Sequence, residues 1–128
     1  MMVVTVHPGS QLDAFAAQTL VFLAYRREAN SFDMVAEGLT PGQRAELESE
    51  VARVLPKGSA TVRHAGGLFA VAVPVFDEYG ICATLALLGA DQMADYSEGS
   101  DAVKQLMATA RALTAELTGK QAPRRIDA

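Results

Sequence analysis

The chain has 128 residues, a net charge of −4 and a single cysteine; half of its residues are hydrophobic and a fifth are charged. That is one domain with enough apolar surface to build a core, and it excludes an internal disulfide. It also argues against a basic nucleic-acid surface, and no apolar run approaches the ~20 residues of a membrane-spanning helix. The start, MMVVTVHPGS, lacks the basic lead and long apolar run of a signal peptide, so the expected location is cytoplasmic.

Met2 to Val6 is β-rich and is broken by His7-Pro8-Gly9. Ser10, with Asp13 three residues on, resembles a helix N-cap with an acidic first turn. Leu12, Phe15, Ala16, Thr19, Leu20 and Leu23 then recur at helical spacing, predicting about four turns that end between Arg27 and Asn30. Ser31 to Gly38 predicts one loose turn of helix. Thr40, Pro41 and Gln43 predict a capping box with a first-turn proline. Leu47, Val51, Val54 and Leu55 form the stripe of that helix, with Pro56 and Gly58 as its stop. Ser59 to His64 reads as a strand, and Gly66-Gly67 as the turn after it. A polar connection, Ala90 to Gly99, leads to a last helix over Ser100 to Thr118, striped by Val103, Leu106, Met107, Ala110, Leu113, Thr114 and Leu117. The expected division is one domain over 1–119 and a polar tail over 120–128. Segregated helices around an antiparallel meander give an α+β fold, a sheet with helices packed on it.

The centre of the chain is LFAVAVPVF-DEYG-ICATLALLG, two strand-length runs around a turn sequence. If Asp77 and Ile81 close the turn, Phe76 faces Cys82, Pro74 faces Thr84, Ala72 faces Ala86 and Ala70 faces Leu88. Side chains alternate along a strand. One face then carries Ala70, Ala72, Pro74, Cys82, Thr84, Ala86 and Leu88, mostly small. The other carries Phe69, Val71, Val73, Val75, Ala83, Leu85 and Leu87, mostly bulky. The bulky face needs a helix layer, while the small one leaves room for a ligand or for a closely packed helix.

Catalytic chemistry is scarce. The two histidines, His7 and His64, have no companions at metal-ligand spacing, so no metal site is expected. Cys82 with His64 as its base is the one nucleophilic pairing available, and a structural cysteine explains Cys82 as well. No phosphate loop, dinucleotide fingerprint or nucleophile elbow occurs. No enzyme and no cofactor are expected.

AVAVPVFDEYGICATLALLG resembles the segment of IclR-type transcriptional regulators that reads approximately A-x-P-V-[FY]-D-x-x-G-x-x-x-[AG]-x-[LI]-S-[VL]-[ST]-G. PGSQLDAF to FLAY is similar to the family's helix opening, without its proline and histidine. LTPGQRAELESEVARVLPKGSATVR resembles the family's helix-then-strand stretch, and the last helix fits too. The resemblance implies a partial GAF-like effector-binding domain, with residue 1 falling inside it and no counterpart here of the winged helix-turn-helix. It also implies a pocket whose polar contacts are a cysteine on the first hairpin strand and two serines on the second. Those positions match Ala70, Ala86 and Leu88, none of which can hydrogen-bond through its side chain. The family's acidic pocket residue has no match in Ser59 to Ala65.

The expected function is therefore a small-molecule sensing domain of an IclR-type regulator. The alternative is a non-enzymatic dimerisation or interaction domain that binds no small ligand. The candidate ligand-binding residues are Ala70, Ala72, Thr84, Ala86, Leu88 and His64. A predominantly apolar or aromatic effector suits them, with Thr84 orienting one polar group and His64 at the rim meeting an anionic tail. Burying a carboxylate without partners would cost more than so small a ligand can recover. The expected partners are a second copy of the chain, with Leu106, Leu113 and Leu117 as one candidate surface, and DNA only through a module this sequence does not contain. No membrane partner is expected.

Overall fold

The computed structural model describes residues 2–6, 14–26, 29–64, 67–90 and 100–119. In chain order the elements are β1 (Met2–Val6), α1 (Ala17–Tyr25), α2 (Ala29–Ala36), α3 (Pro41–Ala52), α4 (Val54–Lys57), β2 (Ala60–His64), β3 (Leu68–Asp77), β4 (Gly80–Ala90) and α5 (Asp101–Thr118). The four strands form one antiparallel sheet in the order β1-β4-β3-β2. This is the expected α+β meander, with β1 added beside β4.

Several helix boundaries differ from expectation. α1 begins only at Ala17; Ala16 is the extended N-cap and its side chain cannot cap. Leu12 and the Ser10 and Asp13 cap lie outside the described residues. Instead of a clean stripe, α1 buries five successive residues from Ala17 to Val21, because it is enclosed on more than one side. Ser31 to Gly38 belongs to a fuller helix, α2. The capping box at Thr40 is as expected: the Gln43 backbone N–H donates to Thr40 Oγ1 at 3.1 Å, and the Thr40 N–H donates to Gln43 Oε1 at 3.0 Å. The helix that follows breaks at Arg53, and a four-residue helix, α4, restarts at Val54.

Pro56 therefore does not stop a helix. It sits in the first turn of α4, where a backbone N–H has no intrahelical acceptor anyway. The stop is Gly58, left-handed at φ 75°, whose N–H donates to the Val54 carbonyl at 2.7 Å. The restart also turns Leu55 outward: it is 56% exposed, while Leu47 and Val54 are buried.

The hairpin register agrees with expectation along most of its length: Pro74↔Thr84, Ala72↔Ala86 and Ala70↔Leu88 are direct partners. It departs at the turn. Asp77 pairs with Gly80 and Phe76 with Ile81, so the loop is only Glu78-Tyr79. Asp77 Oδ1 accepts the Tyr79 N–H at 2.8 Å, a side-chain turn that tightens the loop, and Gly80 takes φ 125°, which disfavours a β-carbon. The register then shifts at Val75/Phe76, leaving Cys82 as the extra residue of a bulge. The bulge moves Cys82 off the small-residue face and onto the bulky one; Ile81 takes its place on the small face.

Helices cover both faces. On the bulky side α5 packs Val103, Leu106 and Ala110 against Phe69, Val71, Val73, Val75, Leu85 and Leu87. On the small side α1 brings Ala17, Leu20 and Val21 against Ala70, Ala72, Ala86 and Ile81, with Leu47 and Val54 behind it. Alanines on that face let a helix approach the sheet closely. Leu106 is thus a core residue and not an available dimer surface; of the three α5 leucines considered for that role, only Leu117 is exposed.

Candidate functional site

The small-residue face is the candidate site. Ala70 and Ala72 come from β3, and Thr84, Ala86 and Leu88 from β4; the cross-strand register places all five on one side of the sheet. Ala72, Thr84 and Ala86 are completely inaccessible and Ala70 is 2% exposed, because α1 fills the space above them. Leu88 is half-buried at the margin of that cluster. Of the two outcomes this face allows, the closely packed helix is the one seen.

One feature of the face is unusual. Thr84 Oγ1 is buried and has no hydrogen-bond partner. Leaving a hydroxyl in that condition costs about 1–3 kcal/mol, which natural cores rarely accept without compensation. The side chains of the cluster on this face are apolar, and the cross-strand partners of Thr84 are Pro74 on β3 and Val6 on β1. Two further polar side chains, Gln18 and Thr19, are buried on α1. Thr19 reads in the sequence as part of a helical stripe. Nothing in the sequence marks Gln18 as buried, because its burial depends on α1 being enclosed from several directions.

His64 is not part of this cluster. It ends β2 opposite Leu68, six residues along β3 from the Pro74↔Thr84 pair. At ~3.3 Å per residue that is about 20 Å along the strand, before the spacing between strands is added. The same register separates His64 from Cys82 by more than this, so they do not form a nucleophile–base pair. Burial raises the Cys82 thiol above its ordinary range and Asp77 raises it further, so little of it is thiolate at neutral pH. No group of three or more metal-ligating side chains is found among the described residues. No helix among them is long and apolar enough to cross a membrane.

Solved structures share this arrangement. The chain is similar to Pseudomonas aeruginosa HmgR, with 26% identity and a TM-score of 0.66, over 91% of this chain and 49% of that one. It is similar to an IclR transcriptional regulator from Alicyclobacillus acidocaldarius, with 26% identity and a TM-score of 0.64, over 84% of this chain and 47% of that one. The fold is that of an IclR-type regulator domain. A regulator of that description from a Silicibacter species superposes with a TM-score of 0.70 at 23% identity, over 83% of this chain and 46% of that one. The chain thus spans about half the length of these IclR-type structures. No protein-family model and no curated protein sequence matches it. Ala70, Ala86 and Leu88, the positions that the sequence resemblance sets against the family's polar contacts, share the face that α1 covers, Leu88 at its margin.

Proposed function

We propose that this chain is the small-molecule sensing domain of an IclR-type transcriptional regulator, and that its effector is bound at the small-residue face beneath α1. The observation that carries this reading is the buried, unpartnered Thr84 hydroxyl at the middle of that face. An effector with an apolar body and one polar end would give the hydroxyl a partner and seat its body on Ala70, Ala72 and Ala86. Entry requires α1 to move, and α1 is suited to that: its N-cap makes no side-chain bond and no acidic residue stands in its first turn. Ligand binding would then be read out as a shift of α1 relative to the sheet. This acidic chain is not expected to bind duplex DNA specifically on its own, and a gel shift at physiological salt checks that.

The test is calorimetric titration with a panel of aromatic compounds carrying one polar group and a panel of small oxo-acids. Ala86→Phe is unsuitable as a control, because Ala86 is fully enclosed and a phenyl ring would overpack the core. Thr84→Val keeps the shape and removes the hydroxyl. Binding of an aromatic ligand by the wild type, weakened tenfold or more in Thr84→Val, is the expected result. The competing reading is an interaction domain that binds nothing small, favoured by the closeness with which α1 already fills the face. It predicts no heat with either panel, and a Thr84→Val variant that is simply more stable by about 1–3 kcal/mol.

A further inference from the structure

The edge of β3 beside α5 holds a different feature. β2 pairs with β3 only as far as Ala60↔Ala72, so from Val73 onward β3 has no neighbouring strand on that side among the described residues. Between this stretch and α5 lies a groove of about 440 Å³, lined by Val73, Pro74 and Phe76 of β3 and by Met107, Arg111, Thr114 and Thr118 of α5. Its volume is within the ~300–1,000 Å³ range of small-molecule sites.

Two polar groups in the groove, Arg111 and Thr114, have hydrogens to donate. Arg111 and Thr114 are three residues apart and so stand on neighbouring positions of one helix face. Arg111 is exposed and makes no ion pair among the described residues. Thr114 Oγ1 accepts the Phe76 N–H at 3.0 Å, which leaves its own O–H free to donate. Thr118 already donates to the Thr114 carbonyl at 2.9 Å. No acidic side chain lines the groove.

We propose that this groove is a second binding site, for a small apolar monocarboxylic acid. The apolar body lies along Val73, Pro74 and Met107, and the carboxylate accepts from the Arg111 guanidinium and the Thr114 hydroxyl. A planar guanidinium matches a carboxylate in two-point geometry. A phosphate dianion fits less well, because a single cation among apolar walls does not replace its hydration. Pro74, the cross-strand partner of Thr84, borders the groove, but no α1 residue and none of Ala70, Ala72, Thr84 or Ala86 lines it, so it is tested separately from the effector site proposed above.

The probes are 2-naphthoate and its neutral amide, titrated by calorimetry and located by amide chemical shifts in the full chain. The acid is expected to bind at least ten times more tightly than the amide. Arg111→Gln should weaken it about tenfold and Arg111→Lys less, while Thr84→Val leaves it unchanged. The shifts should centre on Val73, Thr114 and Ala115. Arg111 is exposed, so both variants keep the fold, which circular dichroism checks. Equal affinity for acid and amide, indifference to Arg111→Gln, shifts centred on Thr84 and Ala86, or no binding at millimolar acid would each overturn the proposal.

Discussion

The Thr114 hydroxyl oxygen accepts a hydrogen bond from the Phe76 backbone N–H at 3.0 Å, tying the C-terminal part of α5 to the stretch of β3 that β2 does not reach. Edge positions on a strand repeat every second residue. Two residues before Phe76 on the same edge stands Pro74, which has no N–H to satisfy. Between them, proline and the threonine leave this part of the edge without a free donor for another chain to pair with.

Thr114→Val keeps the side-chain shape and strands the Phe76 N–H. The expected loss is about 1–2 kcal/mol in urea unfolding, and Thr114→Ser should restore most of it. A Val variant as stable as the wild type would show that water satisfies the N–H equally well.

The break at Arg53 separates two leucines that a continuous helix would place on one stripe. Leu47 is fully buried against α1, so Leu47→Ala should cost about 2–5 kcal/mol. Leu55 points outward, and Leu55→Ala should change stability by no more than about 0.5 kcal/mol. Similar losses at both positions in denaturant titrations would mean that the helix runs on without a break.

Tyr25, at the end of α1, meets Phe76 edge to face, with ring centroids 5.2 Å apart. Burial raises its phenol above the ordinary 10.0. Above that pH the unfolded chain releases the phenolic proton while the folded chain still holds it. The unfolded state then binds fewer protons, so stability falls as pH rises from about 10 toward the folded value. Below pH 10 the contribution is fully present. Unfolding free energies measured between about pH 8 and 11, where no carboxylate titrates, should decline more steeply for the wild type than for Tyr25→Phe. Parallel curves would remove Tyr25 as the cause.

A homodimer remains our expectation, now on narrower grounds. Helices cover both sheet faces and Leu106 is internal, so neither a bare face nor an α5 leucine seam calls for a partner. The outer edges of β1 and β2 still have no neighbouring strand among the described residues. Edge-to-edge pairing about a two-fold axis would cover one of them. Light scattering at tens of micromolar should give a dimer mass, and a clean monomer would end this expectation.

The sequence by itself determined the elements whose signals are local. The Thr40–Gln43 capping box, the left-handed Gly58 at the end of α4, and the alternation that sorts Ala70, Ala72 and Ala86 from Val71, Val73 and Leu85 all act within a few residues. Only the tertiary structure decided what lies on each face. The D-E-Y-G turn accommodates a three-residue loop between Asp77 and Ile81 or a two-residue loop with a bulge. The Asp77–Tyr79 bond and Gly80 accompany the second, and that choice alone moved Cys82 to the other side of the sheet. Small residues on a strand equally suit a ligand or a helix. That α1 occupies the face, starting at Ala17 and enclosed on several sides, follows from long-range packing that no local spacing encodes. His64 illustrates the same limit: it falls on a strand as its sequence predicts, yet its distance from Thr84 is set by how far β2 runs along β3.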